Sequence, residues 1–279
     1  MNGTVRAVLA AAAIATVTIA LLPVHLVAQW RGMALRKRTA RLWHRAAARA
    51  LGLRILVHGT PPAPGRPGVL IAANHVSWLD IVALGAVAEV SFIAKDEVRG
   101  WPFFGLLARL QDSVFIDRSV RSATGRQAAT IGDRLARGDD LVLFAEGTTS
   151  CGNFVRPFKS ALFGALGVGR RGDRRPMGQV VPAAIAYVGA DGMPLGRFGR
   201  PLAAWPGDIA MAPHLWRVLR EGRIDIAIAF GAPIGVDAAT DRKALAATAE
   251  EQVRAMVSAL LRGRAPASPT PQKTLERAP

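Results

Sequence analysis

The chain has 279 residues, 51% of them apolar and 20% charged, enough to bury one sizeable core and carry extensions beyond it. Its single cysteine, Cys151, excludes an intramolecular disulfide and a metal centre built from several thiolates. The formal charge of +16 requires an anionic partner, and its distribution is informative: residues 1–79 hold ten basic side chains and no acidic one.

Within that acid-free segment, Ala7 to Trp30 is 24 residues without a formal charge. As a helix it would be about 36 Å long, enough to cross a hydrocarbon core of about 30 Å with tilt. The length of this run, the lack of a clear A-x-A site and the arginines that follow argue against a cleaved signal peptide. Those arginines favour the cytoplasmic side for the flank. Pro23 and His25 interrupt the apolar pattern, so a helix lying in the interface is a second reading. Residues 31–50, "RGMALRKRTARLWHRAAARA", read as a basic amphipathic helix suited to anionic headgroups. No helix-turn-helix, zinc finger or aromatic-interleaved basic motif points to nucleic acid. Residues 1–50 are therefore expected to form a membrane anchor, residues 51–262 a single globular domain, and residues 263–279 a disordered tail.

After the proline-rich turn "TPPAPGRPG", apolar runs alternate with helical stretches. The strand candidates are "VLIAAN", "VSFIAK", "SVFID", "LVLFAE", "VVPAAIAYV" and "IDIAIAFG". Helices are predicted near residues 79–88, 102–111, 122–137, 159–168 and 241–262. This alternation predicts an α/β fold whose sheet is largely parallel and covered by helices on both faces. Ligands in such sheets bind beyond the carboxyl ends of the strands. The polar residues at four strand exits then form one candidate set: His75, Lys95, Asp117 with Arg118, and Glu146 with Gly147 and Thr148.

The first exit carries "ANHVSWLD", where His75 precedes Asp80 by five residues. Five helical steps leave two side chains roughly 140° apart, and five strand steps put them on opposite faces. The two therefore meet only if the chain turns between them, from a strand ending near His75 into a helix whose first turn holds Asp80. The plainer reading is a capping box formed by Ser77 and Asp80 beside a packed histidine.

In this order, the segments resemble the glycerolipid acyltransferase family typified by lysophosphatidic acid acyltransferase. The N-H-x-x-x-x-D motif matches Asn74, His75 and Asp80, the second motif resembles "VFIDR" ending at Arg118, the third "FAEGTTS", and the fourth "VVPAAI" with Pro182. The resemblance implies acyl transfer from acyl-CoA or acyl carrier protein to a lysolipid hydroxyl by direct attack, without metal or resident cofactor and without an acyl-enzyme. His75 would be the general base and Asp80 would fix its tautomer. Asn74, Lys95, Arg118, Glu146, Gly147, Thr148, Thr149, Lys159 and Pro182 would serve substrate binding. The amides at Gly147–Thr149 are the expected anion or oxyanion donors. It implies an enzyme of the bacterial inner membrane with its catalytic domain on the cytoplasmic face, whose partners are the bilayer, the lysolipid and the acyl donor.

One departure bears on substrate. Phosphate-binding members of the family usually carry arginine after E-G-T, where this chain has Thr149. A hydroxyl cannot replace a bidentate guanidinium. Either Arg118, Arg156 or Lys159 takes the phosphate of a 1-acylglycerol-3-phosphate acceptor, or the acceptor has no phosphomonoester. The stretch "FAEGTTSCGNFVRPFKSALF" resembles the branch that acylates lyso-ornithine lipid. The alternative of another class is a non-catalytic protein that binds anionic lipid, which leaves His75, Asp80 and Glu146 without a role.

Overall fold

The computed structural model describes residues 2–63, 68–116, 124–166, 178–207, 209–237 and 240–266. Two long helices lead the chain. The first, α1 (Gly3–Trp30), is capped by Asn2, whose side chain accepts the Thr4 amide at 3.0 Å. It turns back at Gly32 into α2 (Leu35–Leu51), which ends on Gly52 at φ 75°, the left-handed conformation that glycine adopts without strain.

The expected α/β domain follows. Its strands are β1 (Leu53–His58), β2 (Val69–Ala73), β3 (Val90–Lys95), β4 (Val114–Ile116), β5 (Asp140–Phe144), β6 (Gln179–Ala190), β7 (Met193–Pro194), β8 (Ile224–Phe230) and β9 (Ile234–Gly235). The order across the sheet is β1-β8-β6-β2-β5-β3-β4, with β7 and β9 paired to β6. From β6 to β4 every neighbour is parallel. The β8–β1 pair runs antiparallel to β6, so the sheet is mixed though largely parallel.

The helices are α3 (Leu79–Val87), α4 (Phe104–Leu110), α5 (Thr124–Ala136), α6 (Ser160–Phe163), α7 (Met211–Glu221) and α8 (Arg242–Leu261). Alternate residues of each strand feed two cores because side chains alternate across a sheet. Ile71, Phe144, Ile185, Tyr187 and Ile226 pack beneath α1, α2, α3 and α7. Leu70, Leu143, Ala184 and Ala227 pack against α5, α6 and α8. Sequence reading missed β1 and α7. The first, "LRILVH", is short, partly exposed and isolated by the proline-rich segment, while α7 opens with Pro213 at a first-turn position that helices tolerate.

The N-terminal pair packs on the domain, and α1, 28 residues long, is long and apolar enough to cross a membrane. Near one end of α1, Arg6 donates to the carbonyls of Leu219 and Leu51, at the C-termini of α7 and α2. Near the other end, the His25 ring pairs with Thr39 Oγ1 and the Leu110 carbonyl, each at 2.8 Å. These ties lie about 28 Å apart along the helix. Along its length α1 turns small residues such as Ala7 and Ala10 inward and leaves Val8, Leu9, Ile19, Val27 and Trp30 exposed.

Part of the charge of α2, which the sequence assigns to lipid headgroups, meets protein partners. Arg36 pairs with Asp112 and Lys37 with Asp139, and Arg41 and Arg45 donate to the last carbonyls of α3. Arg31, Arg38 and Arg49 stay exposed.

Candidate active site

Strands β2 and β5 lie side by side in the middle of the sheet, with Ala73 opposite Phe144. Two residues beyond each partner stand His75 and Glu146, so register alone brings the two exits together. The Ala145 amide donates to Ala73 O and the Ser150 amide to His75 O, each at 2.9 Å, which locks the loops to one another. Gly147, at φ 72°, makes the turn that lets the loop double back.

The His75–Asp80 spacing is resolved by the turn the sequence required. The chain leaves β2, bends through Val76 and Ser77, and enters α3, whose first turn holds Asp80. His75 Nδ1 lies 2.8 Å from Asp80 Oδ2. The same oxygen accepts the amides of Val76 at 2.7 Å and Ser77 at 3.0 Å, which fixes the bend from within. Asp80 therefore staples the bend that leads into the helix and orients the imidazole at once. It is completely buried.

A further donor comes from Tyr187, whose hydroxyl reaches Asp80 Oδ1 at 2.7 Å. Burial foremost, with the Asp80 charge behind it, pushes the phenol well above its ordinary pKa, so it stays a proton donor. The imidazole stacks on Phe144 with ring centroids 3.8 Å apart and 12° between planes. With Nδ1 directed at Asp80, Nε2 is the ring nitrogen without a protein partner among the described residues.

His75 opens onto a cavity of about 850 Å³. Its walls are mainly apolar and come from α1 and α2 (Ile14, Leu21, Trp43) and from Phe92, Leu107 and Leu215. Of the expected substrate residues, Lys95, Gly147, Thr148 and Thr149 line it together with His75. Arg118 lies outside the described residues.

Four others have different duties. Asn74 is buried, and its amide group pairs with both the N–H and the C=O of Ile185, tying the β2 exit to β6. Glu146, expected in the acceptor pocket, turns inward: Oε1 accepts the His75 amide at 2.8 Å and Oε2 the Arg156 amide at 3.1 Å. Burial above all raises its pKa to about 7, against the lowering effect of those two amides. Pro182 is buried in β6 opposite Ala72, and Lys159 is exposed, with its amide on Ala145 O at 2.9 Å; neither lines the cavity. Arg156 is exposed outside the cavity too, so among the described residues Lys95 is the one lysine or arginine on its wall.

The oxyanion expectation narrows in the same way. The Gly147 amide is committed to Phe144 O at 3.0 Å. Of the three expected donors, that leaves the amides of Thr148 and Thr149 with no acceptor among the described residues. Sequence reading missed Tyr187, the Phe144 stack and the share of α1 in the cavity wall. The alternation along β6 that turns Tyr187 to the same face as Ile185 was the signal for the first.

Residues 54–184 match a family model described as Acyltransferase. The chain is 47% identical over 264 residues to the lyso-ornithine lipid O-acyltransferase of Brucella abortus, covering 95% of this chain and 98% of that protein. The protein of the same name from Rhizobium meliloti is 45% identical over 260 residues, 93% of this chain and 88% of that one. A 1-acyl-sn-glycerol-3-phosphate acyltransferase of Neisseria meningitidis is 37% identical over 199 residues, 71% of this chain and 72% of its own. Among solved structures, the 1-acyl-sn-glycerophosphate acyltransferase of Thermotoga maritima superposes with a TM-score of 0.60 at 24% identity, over 92% of this chain and 94% of that one. At that identity the likeness bears on the fold.

Proposed function

The chain belongs to the acyltransferase family, and from that premise we propose that it moves a fatty acyl group from an acyl-CoA or acyl carrier protein thioester to the hydroxyl of lyso-ornithine lipid. The observation that carries the reading is the His75–Asp80 pair, hydrogen-bonded at 2.8 Å and opening onto a large apolar cavity. His75 Nε2 takes the proton of the acceptor hydroxyl as its oxygen attacks the thioester carbonyl. Asp80 holds the Nδ1 proton and stabilises the imidazolium that results. The amides of Thr148 and Thr149 are the donors available to the oxyanion. Collapse of the tetrahedral intermediate breaks the C–S bond, and the departing thiolate takes the proton back from His75.

The acceptor reading has two supports. The two relatives that match nearly the whole chain bear the lyso-ornithine lipid name. In addition, Thr149 stands on the cavity wall where phosphate-binding relatives of the pattern carry arginine, leaving Lys95 as the one cation there among the described residues. The bilayer meets the outer face of α1 in this proposal. The ties of α1 to the domain at both ends support a helix lying along one leaflet, which we propose is at the cytoplasmic face of the inner membrane, with its cavity-facing side meeting the acyl chains.

The test supplies purified full-length protein in lipid vesicles with labelled acyl-CoA or acyl carrier protein and a panel of lysolipids, and identifies products by mass spectrometry. Diacylated ornithine lipid is the expected product. Acylation of lysophosphatidic acid alone would overturn the acceptor reading, and no acyl transfer to any lysolipid would favour a lipid-binding protein.

A further inference from the structure

The cavity mouth carries two charged side chains among the described residues, Lys95 and Glu97, two positions apart where β3 runs into a single 3₁₀ turn. They have opposite signs. The neighbouring acid in that turn, Asp96, is paired with Arg99 at 3.2 Å, whereas Glu97 has no ion-pair partner among the described residues. Trp101 caps the end of the same turn, four residues after Glu97, and its indole lines the cavity together with that of Trp205. Trp101 and Trp205 meet edge to face, with ring centroids 6.2 Å apart and 82° between planes. The Trp205 ring is held by its own N–H, which donates to Ile209 O at 2.7 Å.

A carboxylate next to perpendicular aromatic faces is the chemistry that binds an ammonium group. A phosphomonoester dianion suits such a mouth poorly, because Glu97 cancels the charge of Lys95 and Thr149 offers no guanidinium. A headgroup that carries one carboxylate and one ammonium matches it with both signs. An ornithine acylated on its α-nitrogen is such a headgroup.

We infer that Glu97, with Trp101 and Trp205, forms an ammonium subsite that selects zwitterionic acceptors, while Lys95 takes the carboxylate of the same headgroup. The inference rests on the acceptor reading above and assigns it a recognition element. Glu97 and the tryptophans touch the headgroup and not the reacting atoms, so they set acceptor preference while His75 supplies the proton transfer.

The experiment measures kcat/KM of the full-length enzyme in vesicles on lyso-ornithine lipid and on its δ-N-acetyl derivative, which keeps the hydroxyl and the carboxylate but has no ammonium. Wild type should lose about tenfold on the acetylated acceptor, and Glu97→Gln should lose little between the two, because the partner of the ammonium is already gone. Trp101→Leu should also shrink the gap. An equal penalty for acetylation in wild type and Glu97→Gln overturns the subsite and leaves the acceptor reading standing. Wild type that acylates lysophosphatidic acid but not lyso-ornithine lipid overturns both.

Discussion

Asp80 is the residue on which the proposed base, His75, depends. Its Oδ2 receives His75 and two amides, and its Oδ1 receives Tyr187. His75→Ala should lower kcat by about 10² to 10⁴, the usual value of positioned proton transfer, and Asp80→Asn should change it in the same direction. Tyr187→Phe removes one donor to a buried carboxylate, so kcat should fall about tenfold with the fold retained, read by steady-state kinetics beside circular dichroism. Glu146 predicts a pH effect of definite sign. Its pKa is raised from 4.5 to about 7 in the fold, so its contribution to stability is fully present below about 4.5 and is lost as pH rises towards 7. Melting midpoints should therefore show wild type losing ground to Glu146→Gln across that window and the difference levelling above it. A difference independent of pH would contradict the assignment. Residue types explain what the sequence made legible here. A histidine and an aspartate five apart at a strand exit could be read as a pair, but nothing in "N-H" or "E-G" tells a cavity residue from a backbone staple. Asn74 and Glu146 bond to groups 111 and 71 residues away, and Tyr187 to one 107 away, contacts that only the folded sheet creates.

At the scale of elements, the central strands were legible because buried parallel strands read as unbroken apolar runs. The relation of α1 to the domain was not, since an apolar helix has the same composition whether it packs on protein or meets lipid. Ile14, Thr18, Leu21, Leu22 and His25 of α1 line the cavity that His75 opens onto. Deleting residues 1–30 should therefore abolish acyl transfer even in detergent, where membrane attachment is irrelevant. A truncated protein with full activity in detergent would restore α1 to the status of a detachable anchor. Thr149→Arg probes the loop after β5: a guanidinium on the cavity wall should raise the kcat/KM ratio of lysophosphatidic acid to lyso-ornithine lipid about tenfold. An unchanged ratio would show that this position does not read the headgroup.

For the whole molecule, the charge of +16 overstates what a membrane would feel, because Arg36, Lys37, Arg41 and Arg45 are turned to protein partners. Apolar burial is not screened by salt, so vesicle association through α1 should persist in 1 M salt, checked by flotation. Release by salt would mean that the basic helix, and not the apolar run, carries the association. In the proposed mechanism these features converge on one reaction at one histidine. The most direct measurement is mass-spectrometric quantitation of diacylated ornithine lipid formed from lyso-ornithine lipid and an acyl thioester by full-length wild type and by folded His75→Ala. The account predicts product from wild type and a loss of at least about 10² in its rate for the variant. Equal rates from the two proteins would contradict it.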